Sequence, residues 1–149
     1  MKIRRIVLAL VLFLALAYTG IVLANNHIAE ALEEKLKGFP LPPGAELQDS
    51  LSVAGKTQGN GNGMQYYGAI LIDSDLSEGV LRSHYSLLET REDALVVARQ
   101  EGPEVFDKAR FKKYEAGGNS WLVMLARYSA VGAEDSLWER ILNVDIRGH

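Results

Sequence analysis

The feature that most constrains this chain is an uncharged, almost wholly apolar run near its start, residues 6–24. Its most polar members are Tyr18 and Thr19. At 1.5 Å rise per residue, a helix of this length measures roughly 28 Å, close to the hydrocarbon thickness of a bilayer. The run is apolar on every face, which argues against a buried helix of a soluble protein. It therefore predicts a transmembrane helix, with the membrane as the partner of residues 6–24.

Charges at the two ends of this run predict its orientation. Lys2, Arg4 and Arg5 precede it, and basic residues are retained on the cytoplasmic side. We therefore expect a single-pass protein of the cell membrane, with its N-terminus cytoplasmic and its C-terminal domain outside. The alternative is secretion after signal cleavage at Ala24. A retained anchor is favoured because the run stays apolar up to Ala24, whereas a signal peptide turns polar before its cleavage site.

Composition excludes several classes of partner and site. The 149 residues include 16 basic and 19 acidic ones, and the part beyond the run keeps 13 against 19, a net charge of −6. An acidic domain gains nothing from phosphate polymers, so no nucleic acid partner is expected. The chain has no cysteine, which removes disulfides, thiol nucleophiles and cysteine metal sites. A core must stabilise the fold.

The chain divides into three predicted parts. Residues 1–24 form the basic start and the anchor, residues 25–45 a helical spacer with a Pro-rich linker, and residues 46–149 an extracytoplasmic domain expected to fold alone. Ile28, Leu32 and Leu36 make a helical stripe, and three prolines among residues 40–43 then end the helix. Because that stripe is narrow, a spacer is favoured over a helix that docks on a partner or on the domain itself.

The domain is predicted to be α+β, with an antiparallel sheet of about five or six strands and one main covering helix. Strand patterns occur at residues 46–56, 64–73, 93–100, 121–128 and 138–146. Residues 103–114 are ambiguous between strand and helix, with a strand favoured. The covering helix is expected over residues 76–89, capped by Asp75, with Leu76, Val80, Leu87 and Leu88 on its buried side. A packing or capping role is favoured for His84 over a catalytic one.

Two places hold candidate ligand-binding residues, and for both a structural interpretation is favoured. Asn60 and Asn62 alternate with glycines between the first two strands, a pattern typical of a hairpin turn but also able to form a backbone nest for a carboxylate or a sugar. Asp145, Arg147 and His149 collect polar groups at the chain end, where an Asp–Arg clamp is favoured. We predict no catalytic residue, no metal site and no cofactor; residues 54–57 read AGKT but lack the upstream glycine and following helix of a phosphate loop.

These features favour a non-enzymatic envelope module that binds or scaffolds a protein partner. No serine elbow occurs, and the three histidines are scattered, so a hydrolase of envelope polymers is less favoured. The alternative is an envelope assembly subunit, because a hydrophobic helix, its amphipathic continuation and an antiparallel sheet resemble the layout of type IV pilins and pseudopilins. The chain departs from their processing motif: Arg5 precedes the run where they place Gly or Ala, and Leu10 stands where they place Glu.

Overall fold

The computed structural model describes residues 2–57, 63–106, 109–115 and 118–129. Over these ranges the chain forms a long helix, a four-stranded antiparallel sheet, a second short helix and a small two-stranded sheet. The fold is therefore α+β, as predicted. The six strands belong to two sheets, so the main sheet is smaller than expected. The predicted strand at residues 138–146 lies outside the described residues.

The first helix, α1, is continuous over Lys2–Lys37 and measures about 54 Å at 1.5 Å per residue. Its first half contains the apolar run, whose side chains are exposed on all sides. Its second half packs on the sheet, with Asn25, Ala29, Leu32 and Leu36 buried. The helix is long and apolar enough to cross a membrane. Residues 25–37 are thus not the spacer that we predicted; the alternative, docking on the domain itself, is what the structure shows.

The main sheet consists of β1 (Glu46–Gly55), β2 (Gln65–Asp73), β3 (Asp93–Arg99) and β6 (Ser120–Tyr128). Its strand order is β1-β2-β6-β3, and every neighbouring pair is antiparallel. The four predicted strand segments are confirmed within a residue or two. Between α1 and β1 the chain turns at Gly44, whose φ of 78° suits the third position of a type II turn. The Ala45 N–H closes this turn by donating to the Pro42 carbonyl oxygen at 3.0 Å.

The face of the sheet that contacts α1 carries the larger core. The second helix, α2 (Glu78–Tyr85), and a 3-10 turn (Ser86–Leu88) cover the part that α1 leaves open. One helix was predicted to cover this face, whereas two do. The buried members of this core come from both helices and three strands, and they include Leu32, Leu36, Tyr66, Ile70, Leu81, Tyr85, Leu95, Val123 and Leu125.

The covering helix differs in detail from the prediction. Its buried side chains are Leu81 and Tyr85, followed by Leu88, while Val80 and Leu87 are exposed. Ser77, not Asp75, occupies the N-cap position and makes no side-chain capping bond. The Asp75 carboxylate instead accepts a hydrogen bond from the Asn119 amide. Leu88 is buried and Leu76 packs against the core, as predicted. Val80 and Leu87 fit the same apolar spacing but face the solvent, so the prediction is wrong for these two residues.

The second face of the sheet packs against a small hairpin. Here β4 (Glu104–Phe106) pairs with β5 (Ala109–Arg110), which confirms the strand interpretation of residues 103–114. Phe111, just after β5, is buried on this face. It joins alternate residues of β2 and β6, namely Tyr67, Ala69, Leu71, Leu122, Met124 and Ala126. The sheet therefore separates two cores.

Candidate binding groove

The five predicted ligand-binding residues, Asn60, Asn62, Asp145, Arg147 and His149, all lie outside the described residues. Their proposed binding role stays a prediction. A different group of polar side chains comes together within the described part of the chain, where α1 meets the first residue of β3 and the end of β6.

His84 has structural contacts that fit the favoured packing role. Its Nε2 lies 2.7 Å from the Pro40 carbonyl oxygen, and its ring makes edge contacts with Phe39 and Tyr85. These contacts hold the turn after α1 against α2. The pKa of the Tyr85 hydroxyl is raised to about 12 by burial.

A buried carboxylate connects three elements of the domain. Asp93, at the start of β3, accepts a hydrogen bond from Lys35 Nζ of α1 at 3.1 Å and one from Arg127 Nε of β6 at 2.7 Å. Its side chain is only 4% exposed, whereas both cations are 36% exposed. Lys35 also donates to the Leu88 carbonyl at 3.1 Å. The carboxylate thus ties α1 to both β3 and β6.

The charged partners control the ionisation of this carboxyl. Burial opposes its charge, but the hydrogen bonds from Arg127 and Lys35 outweigh burial and lower the pKa of Asp93. The pKa of Arg127 is raised, first by its bond to Asp93 against the effect of burial, with Glu92 adding to the shift. Arg127 is therefore a cation fixed by Asp93, with Glu92 near enough to favour its charge.

Next to this network lies an open groove of about 670 Å³. Its lining comes from α1, the start of β2, the end of β6, and the loop before β3 with the first residues of β3. Charged, aromatic and apolar groups all contribute to its lining, which includes Ile28, Tyr66, Glu89, Arg91, Glu92 and Arg127.

Local hydrogen bonds shape the loop that forms the far wall. The Thr90 hydroxyl accepts the backbone N–H groups of Asp93 at 3.0 Å and Glu92 at 3.2 Å, and the Thr90 N–H returns a bond to the Asp93 carbonyl at 3.0 Å. This tight turn exposes Arg91 and Glu92. Exposed Arg91 and Glu92 therefore line the groove together with Arg127, whose position is fixed by Asp93.

The groove lies at the end of the domain nearest the apolar half of α1. Asn25, directly after the apolar run, is buried and accepts a hydrogen bond from the Tyr66 hydroxyl at 3.0 Å. Tyr66 pairs with Arg127, and Arg127 pairs with Asp93, so all three occupy the same level of the sheet. The start of the docked half of α1 and the groove thus share one end of the molecule.

A second, more acidic depression of about 460 Å³ lies at the opposite end of the sheet. Glu46, Asp73 and Asp75 line it. The side chain of Asn119 donates to the Asp75 carboxylate through its amide nitrogen and accepts a hydrogen bond from Arg99 Nη2 at 2.5 Å through its amide oxygen. Over the ranges that the structure describes, no group of three or more potential ligands is placed to hold a metal ion.

The sequence offered a signal for this network that we did not use. Asp93 has the same strand parity as Leu95 and Val97, which identifies an acid on the buried face. Lys35 follows Ile28 and Leu32 at helical spacing and is a candidate partner for it. Comparison with protein families, with curated proteins and with solved structures finds no match for this chain.

Proposed function

We propose that this chain is a single-pass protein of the cell membrane whose domain lies outside and acts as a non-enzymatic module that binds or scaffolds an envelope protein. The continuity of α1 carries the proposal. One helix supplies both an apolar segment exposed on all sides and part of the domain core. An uninterrupted helix has no hinge, so the domain would be held rigidly against the bilayer surface.

The same continuity favours a retained anchor over cleavage at Ala24. Cleavage there would place a charged amino group on Asn25, whose exposure is only 2%. Burying a charge without a counter-ion is costly. It would also cut α1 immediately before its hydrogen bond to Tyr66. Retention leaves both features undisturbed.

A binding role is favoured over a catalytic one by the way the polar groups are used. Lys35 and Arg127 both donate to Asp93, which connects three elements, and the His84 ring contacts Phe39 and Tyr85. These contacts stabilise the fold, and Arg127 also lines the groove. The open groove, by contrast, presents charge and apolar surface together, as binding sites do.

Single-cysteine labelling tests the topology directly, because the chain has no cysteine of its own. Gly79→Cys suits the domain, since a Cβ at Gly79 meets no atom within 4 Å, and Ile3→Cys suits the N-terminus, where the side chain is exposed. With a membrane-impermeant maleimide on intact cells, we expect Gly79→Cys to react and Ile3→Cys to react only after permeabilisation. The reverse pattern would contradict the orientation. Recovery after alkaline washing of a soluble species that begins at Asn25 would contradict the anchor.

An envelope assembly subunit is the second proposal. It is favoured by the arrangement of α1, because one part of this helix is exposed and the other packs on an antiparallel sheet. This is the layout in which the chain resembles pilins. The size of the protein extracted in mild detergent separates the two. A series of high-order species supports assembly, whereas a single small species supports the binding module.

A further inference from the structure

We propose that the groove beside Ile28 binds the headgroup of a phosphoethanolamine lipid from the bilayer in which α1 is anchored, an inference that rests on the proposed membrane anchoring. The groove's two arginines face the phosphate, and its acids face the ammonium group. The bound headgroup would fix the orientation of the domain relative to the membrane surface.

The position of the groove along α1 is the first argument. Ile28 follows Ala24, the last residue of the apolar run, by four residues, which is about 6 Å of helix rise. The headgroup layer on each side of a bilayer is about 5 to 8 Å thick. When the apolar run occupies the hydrocarbon, Ile28 and the groove it lines are therefore at headgroup depth.

The charge pattern is the second argument. Arg127 is fixed at the groove by its bond to Asp93, and Arg91 lies exposed on the rim. Arginine N–H groups are well suited to phosphate oxygens. Glu89 and Glu92 also line the groove, so an anion alone would meet repulsion as well as attraction.

A ligand that carries both signs matches this pattern. Glu89 lies 4.0 Å from Arg82, so part of its charge is already balanced, and Glu92 is the acid on the rim beside Arg91. Phosphoethanolamine has its phosphate and ammonium only two carbons apart, and its ammonium has N–H groups for a carboxylate. Choline has no such N–H, and phosphoglycerol has no cation, so both fit less well.

The remaining lining suits the interfacial region. Ile28 and Ala94 provide apolar surface, and Tyr128 is 56% exposed at the same end. Tyrosine is enriched where membranes meet water because its ring is apolar and its hydroxyl is polar. Ile28 and Ala94 would contact the carbon atoms of the bound headgroup, and the exposed Tyr128 suits the membrane–water interface.

The test uses the full chain in nanodiscs made of equal parts phosphatidylethanolamine, phosphatidylcholine and phosphatidylglycerol with the same acyl chains. Native mass spectrometry then counts the lipids that remain on the released protein. We expect phosphatidylethanolamine to be retained preferentially. Arg91→Gln should lower that preference by about fivefold, the size of an exposed charge pair. Arg110→Gln removes the same charge from the exposed strand β5 and should leave the preference unchanged.

Glu92→Gln isolates the ammonium contact, because it should shift retention from phosphatidylethanolamine toward phosphatidylglycerol. Equal retention of the three lipids, or a preference that neither Arg91→Gln nor Glu92→Gln alters, would overturn the headgroup site. Alkaline washing of cell membranes that contain the same variants separates this failure from failure of the anchor. A chain that stays in the membrane without lipid preference refutes the groove alone, whereas a chain that washes off refutes the anchoring and the groove together.

Discussion

Gly68 of β2 lies directly beneath the backbone of Glu33 in α1. A Cβ atom added to Gly68 would come within 2.7 Å of Glu33 Cα and closer still to the Glu33 nitrogen and the Leu32 carbonyl carbon. Real Cβ atoms do not make such contacts. The absence of a side chain at Gly68 therefore permits the close approach of α1 to the sheet, and with it the burial of Ala29, Leu32 and Leu36.

We predict that Gly68→Ala displaces α1 from the sheet and strongly destabilises the domain. The added methyl group meets helix backbone, which cannot move aside as a flexible side chain can. Overpacking usually costs about 1 to 3 kcal/mol, and a backbone clash belongs at the upper end of that range. Chemical denaturation followed by fluorescence of Trp121, which is buried, measures the loss.

Gly79→Ala is the matched control. A Cβ at Gly79 meets nothing within 4 Å, and the residue lies in α2. Alanine there should stabilise the domain by about 0.5 to 1 kcal/mol, because it limits the unfolded chain and suits a helix. Equal effects of the two substitutions would contradict the role assigned to Gly68.

The docked half of α1 also predicts where the domain can be truncated. From the sequence we expected residues 46–149 to fold alone, but that fragment lacks Leu32 and Leu36. Losing a buried leucine costs about 2 to 5 kcal/mol, and whole domains are stable by only about 5 to 15 kcal/mol. We therefore predict that residues 46–149 show no cooperative thermal transition, whereas residues 25–149, which keep Leu32 and Leu36, show one that is weakened by the charged amino group on Asn25. A cooperative transition in the shorter fragment would restore the original expectation.

The periodic patterns of the strands were sufficient to predict most of the sheet. Residues of β2 and β6 are apolar on both faces, because one face meets α1 and α2 while the other meets Phe111 and its neighbours. Long apolar runs bounded by Gly, Asn and Asp are strong strand signals. The sequence alone therefore predicts four of the strands, at residues 46–56, 64–73, 93–100 and 121–128.

Docking of α1 on the sheet is harder to predict because it depends on Ala29 and Gly68, which are far apart in the sequence. The stripe of Ile28, Leu32 and Leu36 is narrow, which favoured a spacer. Ala29 widens it, but so small a side chain contributes to a core only if the helix comes very close to the sheet, and Gly68 makes that possible. The sequence does not predict the Asp93 network for a similar reason, since Asp93 is 58 positions from Lys35 and 34 from Arg127.

Asp93 should make the stability of the domain depend on pH in acid. Its pKa is lowered in the folded state, so the unfolded chain binds the proton more readily. The stabilisation is present above about pH 4, the range of an ordinary Asp pKa, and is lost as pH falls through the folded pKa. We predict that Asp93→Asn costs about 2 to 3 kcal/mol at pH 7, a value limited by the partial exposure of both cations.

The difference between Asp93→Asn and the unsubstituted protein should shrink as pH falls below about 4, because the unfolded chain binds the proton first, and it should close as pH falls through the lowered pKa of the folded Asp93 carboxyl. Denaturation midpoints measured across this range give the comparison. Glu101→Gln, at an exposed acid, is the control and should show no such convergence. A gap that stays constant down to the lowest pH would mean that the charge of Asp93 does not contribute.

A second carboxylate positions the hairpin on the other face of the sheet. Asp49, beside an irregularity in β1, accepts the backbone N–H groups of Lys112 at 2.6 Å and Lys113 at 2.9 Å through Oδ2. Its Oδ1 accepts the Ser50 N–H at 2.9 Å. Partial burial opposes the charge of Asp49, but these donors outweigh it, Lys113 first, and lower its pKa. The carboxylate thereby holds the segment that follows buried Phe111.

We predict that Asp49→Ala loosens this segment without unfolding the sheet. Losing the acceptor should cost about 1 kcal/mol and speed amide hydrogen exchange at Lys112 and Lys113, while the amides of β2 and β6 stay protected. Asp49→Asn keeps a carbonyl oxygen in the same place, so its exchange rates should lie between those of Asp49→Ala and the unsubstituted protein. Unchanged exchange at both lysines in Asp49→Ala would show that Phe111 alone holds the hairpin in place.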